Sequence, residues 1–155
     1  MDNSLRKSVL NELHRIEPRL PEYAAVAPAG VFEVCESIFS SNEDVRVRAN
    51  ALYLAFALDQ ERGLALASQS VSSPERDLRI AAMRCFMGAS PATLTKATTM
   101  VSLGLEDSDP GVRKYALKLL QIRPLPGLHA QVDKLAESDE FADLRQLAKH
   151  ILSRA

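Results

Sequence analysis

Tryptophan is absent and aromatic residues make up only 5% of the 155-residue chain. Ring stacking therefore cannot supply the bulk of a core, and the apolar volume has to come from aliphatic and small side chains, a balance that suits Ala- and Leu-rich helices. Nowhere do 18 apolar residues follow one another, which excludes a membrane-spanning helix from the expectation. The opening MDNSLRKSVLNEL is charged throughout and holds no apolar run of signal-peptide length, so a cytoplasmic protein with no membrane partner is expected. Neither sign of charge is in excess. With 19 Lys+Arg against 20 Asp+Glu and a formal net charge of -1, no global field draws the chain to nucleic acid. Cysteine is sparse: Cys35 and Cys85 each fall in an apolar helical run, which suits packing in a reducing compartment better than a disulfide framework.

Catalytic constellations are missing as well. The six glycines, at 30, 63, 88, 104, 111 and 127, build no phosphate-cradling loop, and no serine stands in a GxSxG context. Of the three histidines, His129 has Asp133 one helical turn on, which is half a metal site without the remaining ligands; a surface pair is the better reading. Cys85 lies in an apolar column, where burial raises a thiol's pKa and blunts it as a nucleophile. The expectation is a protein that is not an enzyme and carries no metal and no cofactor.

What is present is a pattern: aliphatic, Arg, two variable residues, Ala. It occurs as Val45-Arg46 with Ala49, Leu78-Arg79 with Ala82, Val112-Arg113 with Ala116, and Leu144-Arg145 with Ala148. Two further apolar columns follow in each copy (Leu52 and Tyr53, Cys85 and Phe86, Leu119 and Leu120, Ile151 and Leu152) at offsets that form one stripe of an α-helix. Six residues before each Arg comes Ser40, Ser73, Asp107 or Asp139, a turn signal. Ser73-Pro74, Ser90-Pro91 and Asp109-Pro110 pair a helix-capping acceptor with a proline at the first helical position, and Asp44, Asp77 and Asp143 place negative charge in first turns. These helices, termed A, are expected to start near 44, 75, 110 and 141, with a degenerate one near 5.

Residues 61–72, 91–105 and 126–137 are apolar at helical spacing and provide the intervening B helices. An earlier pair is expected at 4–16 and 29–40. Between them the segment from Glu17 to Ala29, with Pro18, Pro21 and Pro28, is read as a loop with one helical turn around Tyr23 to Val26. No run alternates with period 2, so an all-α chain without β-strands is predicted, folded as one domain over 1–155.

The alanine column (Ala49, Ala82, Ala116, Ala148) lets helix backbones approach closely. The arginine column (Arg46, Arg79, Arg113, Arg145) sits at the edge of the buried stripe. There it can reach Ser or Asp side chains or open helix carbonyls in the adjacent turn and hold units in register; an anion-binding stripe is the weaker reading.

This arrangement resembles the HEAT-repeat family, whose units are antiparallel helix pairs with an Asp, then Val-Arg, then Ala in the second helix. The pattern covers residues 40–152; Ser replaces the Asp at 40 and 73. The resemblance implies a right-handed α-solenoid or superhelix of about four HEAT-like helix pairs, armadillo-like in its stacking, and a binding scaffold or adaptor as the function. Hydroxylases built from such repeats bind iron through His-Glu dipeptides, and none occurs here. A phycobilisome-lyase-like subunit handling a small ligand, or a weak nucleic-acid binder using a cluster such as Arg113, Lys114 and Lys118, are the alternatives.

A partner, expected to be a helix or peptide segment of another protein, is placed on the inner B helices. Lys96, Thr99, Met100 and Leu103 lie opposite the buried stripe of residues 91–105, and Gln131 and Lys134 continue that surface on the next B helix. The reading in which Met100 and Leu103 are simply core stands beside it. The last A helix is one-sided, with Phe141, Leu144, Leu147 and Ile151 against Arg145, Lys149 and His150, which suits a cap. The oligomeric state is open, with a monomer favoured.

Overall fold

The computed structural model describes residues 3–15 and 18–154. The last residue of the predicted first helix, Glu17 at the head of the proline-rich segment, and the first two residues of the opening lie outside them. Every regular element among the described residues is helical. The chain divides into two compact units, residues 1–81 and 82–155, with the division inside one continuous helix, Arg76–Met87.

The first unit begins with α1 (Asn3–Leu13), the single-turn helix α2 (Leu20–Ala25) and α3 (Val31–Phe39), followed by α4 (Val45–Leu58) and α5 (Gln60–Val71). The predicted helical turn in the proline-rich segment is α2, three residues earlier than expected because Pro21 fits its first turn. Gly30 opens α3 at φ 92°, a left-handed backbone that other residues adopt only with strain. α4 is the centre of this unit, packed against α1, α2, α3 and α5. Surrounded in this way, it buries residues around most of its circumference: Val47, Ala49, Asn50, Ala51, Leu52, Leu54, Ala55 and Phe56.

Asp59 alone separates α4 from α5, closing one helix and capping the next, with its carboxylate accepting from Arg62 N at 3.1 Å. So short a connection forces the helices together. A Cβ added at Gly63 would lie 2.9 Å from Phe56 Cα, closer than any real side chain permits.

The helix across the division, α6 (Arg76–Met87), starts two residues later than the Ser73-Pro74 signal implies. Ser73 Oγ accepts from Glu75 N at 3.1 Å, and it is Glu75 O that takes the first helical N–H groups, from Leu78 and Arg79. The serine therefore shapes the turn before the helix, not the helix end.

In the second unit the predicted helix over 91–105 is two segments, α7 (Pro91–Lys96) and α8 (Thr98–Leu105), joined at the fully buried Ala97. Threonine hydroxyls flank the break: Thr95 Oγ donates to Pro91 O at 2.9 Å and Thr98 Oγ to Thr95 O at 2.9 Å, the kind of hydroxyl-to-carbonyl bond that accompanies bends in helices. Next come α9 (Pro110–Ile122), a 3-10 turn at Pro126–Leu128, α10 (His129–Ser138) and α11 (Ala142–Ser153). Ser90 and Asp109 cap α7 and α9 as predicted, accepting from Thr93 N at 3.2 Å and Gly111 N at 2.7 Å. α8 packs on α9 and α10, and α11 on α9 and α10. Ala116 and Ala148 are fully buried.

Candidate functional site

The arginines of the repeated pattern are committed to backbone carbonyls. Arg79 Nη1 donates to Ser73 O at 3.0 Å and to Pro74 O at 3.1 Å, six and five residues back. Arg113 Nη1 repeats this, donating to Asp107 O at 2.9 Å and Ser108 O at 3.2 Å. Arg145 Nη1 donates to Asp139 O at 2.6 Å. Each guanidinium thus ties down the turn that leads into its own helix, where carbonyls of the connecting residues lie outside both helical ladders.

The first copy is arranged differently. Arg46 is exposed, and it reaches back to Arg15 O at 2.9 Å and His14 O at 3.2 Å. One turn on, Asn50 Nδ2 donates to Leu13 O at 2.9 Å, so two α4 side chains cap the open carbonyls at the end of α1. The position buried as Leu78, Val112 and Leu144 are buried is Val47. Beside it stands Arg48, which donates to Phe39 O at 2.9 Å and pairs with Glu75 at 2.8 Å. Val45-Arg46-Val47-Arg48 holds two overlapping registers, and in the second the alanine is Ala51, which is fully buried, while Ala49 is 8% exposed.

Arg113 also makes a buried ion pair. Its Nε lies 2.8 Å from Asp139 Oδ2, with side-chain exposures of 10% and 1%, and Nη2 lies 3.3 Å from Oδ1. Asp139 Oδ1 also accepts from Phe141 N at 3.0 Å. Burial pushes the Asp139 carboxyl up. The hydrogen bonds from Arg113 and Phe141 and the charges of Arg113 and Arg145 outweigh that and hold it below the usual carboxylate value.

The residues predicted to meet a partner fall in three groups. Lys96 ends α7 and is exposed; Thr99 and Leu103, one turn apart on α8, are also exposed, Leu103 at 51%, while Met100 between them is half-buried. Gln131 spends its amide on structure: Ser102 Oγ donates to its Oε1 at 2.9 Å, and its Nε2 donates to Ser102 O at 3.2 Å and Glu106 Oε1 at 3.0 Å, which clasps α10 to α8. Lys134 is exposed beside it, and both line an open depression with Leu105, Glu106 and Arg113.

A more enclosed cavity of about 210 Å³ lies at the other end of α10, walled by Leu120, Leu125, Val132 and Ile151. Sequence reasoning missed it, because its walls come from α9, the 123–128 connection, α10 and α11. That connection is anchored: Arg123 Nη1 donates to Ala89 O at 2.6 Å and Met87 O at 3.2 Å, and Pro124 and Pro126, which also line the cavity, restrict the backbone further. His129 belongs to this wall, whereas Asp133 lines a different, open depression. No group of three or more His, Cys, Asp or Glu able to hold a metal ion occurs among the described residues.

Both cysteines are buried and free. Desolvation, with Glu33 adding to it, pushes the Cys35 thiol up to about 12, and burial raises Cys85 despite the opposing charge of Arg84. A thiol so disfavoured as thiolate serves packing. On the surface of the first unit, Arg62 sits over the Phe32 ring at 3.9 Å and bridges to Glu33 at 3.0 Å. On that of the second, the Tyr115 ring has Lys118 at 5.3 Å and Arg84 at 5.9 Å. No family model matches the chain, and no curated protein matches it in sequence.

Proposed function

We propose that the chain is a non-catalytic interaction scaffold or adaptor, a HEAT-like right-handed solenoid of about four helix pairs that holds a helix or peptide of another cytoplasmic protein on its inner helices. The observation that carries this reading is the outward side of α8: Leu103 is 51% exposed on a helix whose other side is buried through Val101 and Leu105. Met100 is half-buried next to it and Lys96 stands at the end of α7. An exposed leucine beside a half-buried methionine with a basic flank fits the apolar face of a partner helix, with thioether flexibility accommodating its shape. Gln131 contributes by clasping α10 to α8, and Lys134 by its exposed charge. The arginine bonds to turn carbonyls support the structural reading of that column over an anion-binding stripe.

The test is affinity capture from the native source with mass spectrometry, comparing the wild type with Leu103→Asp and Lys96→Glu. The expected result is a protein set recovered by the wild type and lost by both variants. Recovery of no protein, or of the same set by all three, overturns the reading.

A further inference from the structure

The cavity under the 123–128 connection has the dimensions of a single side chain. An engineered apolar cavity of about 150 Å³ accepts benzene, so 210 Å³ takes a phenyl or isobutyl group and the first atoms of the chain that bears it. It is preformed, since the Arg123 bonds and two prolines hold its wall before anything binds, and a preformed site avoids the entropy of ordering a loop.

Its charge is one-sided. Arg154 lines it, His129 adds a polar group, and no carboxylate is among the described residues that line it.

We propose that this cavity is a docking site for a peptide segment of a partner protein, taking one phenylalanine or leucine between Leu120, Leu125, Val132 and Ile151 while an Asp or Glu beside that residue meets the Arg154 guanidinium. The apolar group supplies the affinity and the carboxylate the orientation. The site uses helices and a connection other than the outward side of α8, so it stands even if Leu103 and Met100 contact nothing.

The test is a methyl-resolved NMR titration of the full chain with N-acetyl-Glu-Phe-Glu-amide. The expected result is saturable shifts at Leu120, Leu125, Val132 and Ile151 with none at Met100 or Leu103, which separates this site from the α8 reading. Replacing the peptide's Phe by Ala abolishes the shifts. Replacing both Glu by Gln weakens binding about threefold, the range of an exposed ion pair. Arg154→Gln produces the same loss for the Glu peptide and leaves the Gln peptide unchanged, which assigns the pair. Arg154 is exposed, so this variant folds; Leu125→Asp, checked by circular dichroism, removes binding altogether. Equal affinity of the Glu and Gln peptides, no saturation up to millimolar peptide, or shifts that depend on protein concentration without peptide and so assign the cavity to a second copy, each overturns the proposal.

Discussion

The two units solve one problem, the open carbonyls between helices, with arginines in unlike surroundings. In the first, Arg48 bonds Phe39 O and meets Glu75, whose side chain is 42% exposed. In the second, Arg113 bonds Asp107 O and meets Asp139, whose side chain is 1% exposed. The charge balance differs too. Residues 1–81 carry nine Lys+Arg against twelve Asp+Glu, and residues 82–155 ten against eight. Equal bond lengths do not mean equal energies: a pair near water gains little over its hydrated parts, whereas breaking a buried pair strands a charge that water cannot reach.

The largest effect follows at once. Asp139→Ala should destabilise the protein by about 3–5 kcal/mol in urea titrations, because Arg113 loses its partner while remaining buried and Phe141 N loses its acceptor. A loss under 1 kcal/mol would break the contrast. The effect has a pH signature. Asp139 titrates below its ordinary 3.8 in the folded protein, so its contribution is complete above about pH 4 and disappears as pH falls through the lower folded value. The gap between wild type and Asp139→Ala should therefore be constant near neutrality and shrink on acidification below pH 4.

Next in size are two glycines that test whether backbone or side chain is the harder neighbour. At Gly63 an added methyl meets Phe56 Cα at 2.9 Å; at Gly104 it meets Met83 Sδ at 2.6 Å and Ala116 Cβ at 3.3 Å. A thioether can turn away and a backbone cannot. Gly63→Ala should cost about 2–3 kcal/mol and Gly104→Ala about 1 kcal/mol, within the range for overpacking, read from thermal melts; the reverse order would place the rigid contact in the second unit.

Ser70 is fully buried and its hydroxyl meets no hydrogen-bond partner. Ser70→Ala should stabilise the protein by about 1 kcal/mol by removing an unsatisfied group from a helix, and a destabilisation would reveal an acceptor. The smallest effect belongs to Glu75→Gln, about 0.5 kcal/mol or less, against which the Asp139 result is to be judged.

Much of this was legible in the residues. Helix starts at 45, 76, 110 and 142 lie within one residue of the starts expected near 44, 75, 110 and 141: Asp44 and Asp109 cap two of them, and the 3.6-residue stripe, a local property, marks the other two. Where α4 is enclosed on most sides, apolar residues stop marking one face, and tandem Val-Arg dipeptides offer two registers that only burial separates. The break at Ala97 lies between Thr95 and Thr98, whose hydroxyls bond helix carbonyls, and the apolar stripe runs straight through it. Gln131 looked like open surface because its polarity is visible in sequence and its partners, Ser102 and Glu106, are 29 and 25 residues away. The cavity was illegible for the same reason, its walls being assembled from four separate segments.

Asp59, as the sole residue between two helices, leaves that corner without slack. One residue added within the first turn of α5 would turn the rest of that helix by about 100° against its cap and carry Gly63 away from Phe56, while deleting Asp59 would remove the carboxylate that receives Arg62 N. The connection over 40–44, between α3 and α4, is longer and is bonded along its length, with Ser41 Oγ accepting from Glu43 N at 3.2 Å and Asp44 capping α4 through Arg46 N at 2.9 Å. The Asp59 corner, one residue long, behaves as a fixed joint that sets the pitch between its two rods.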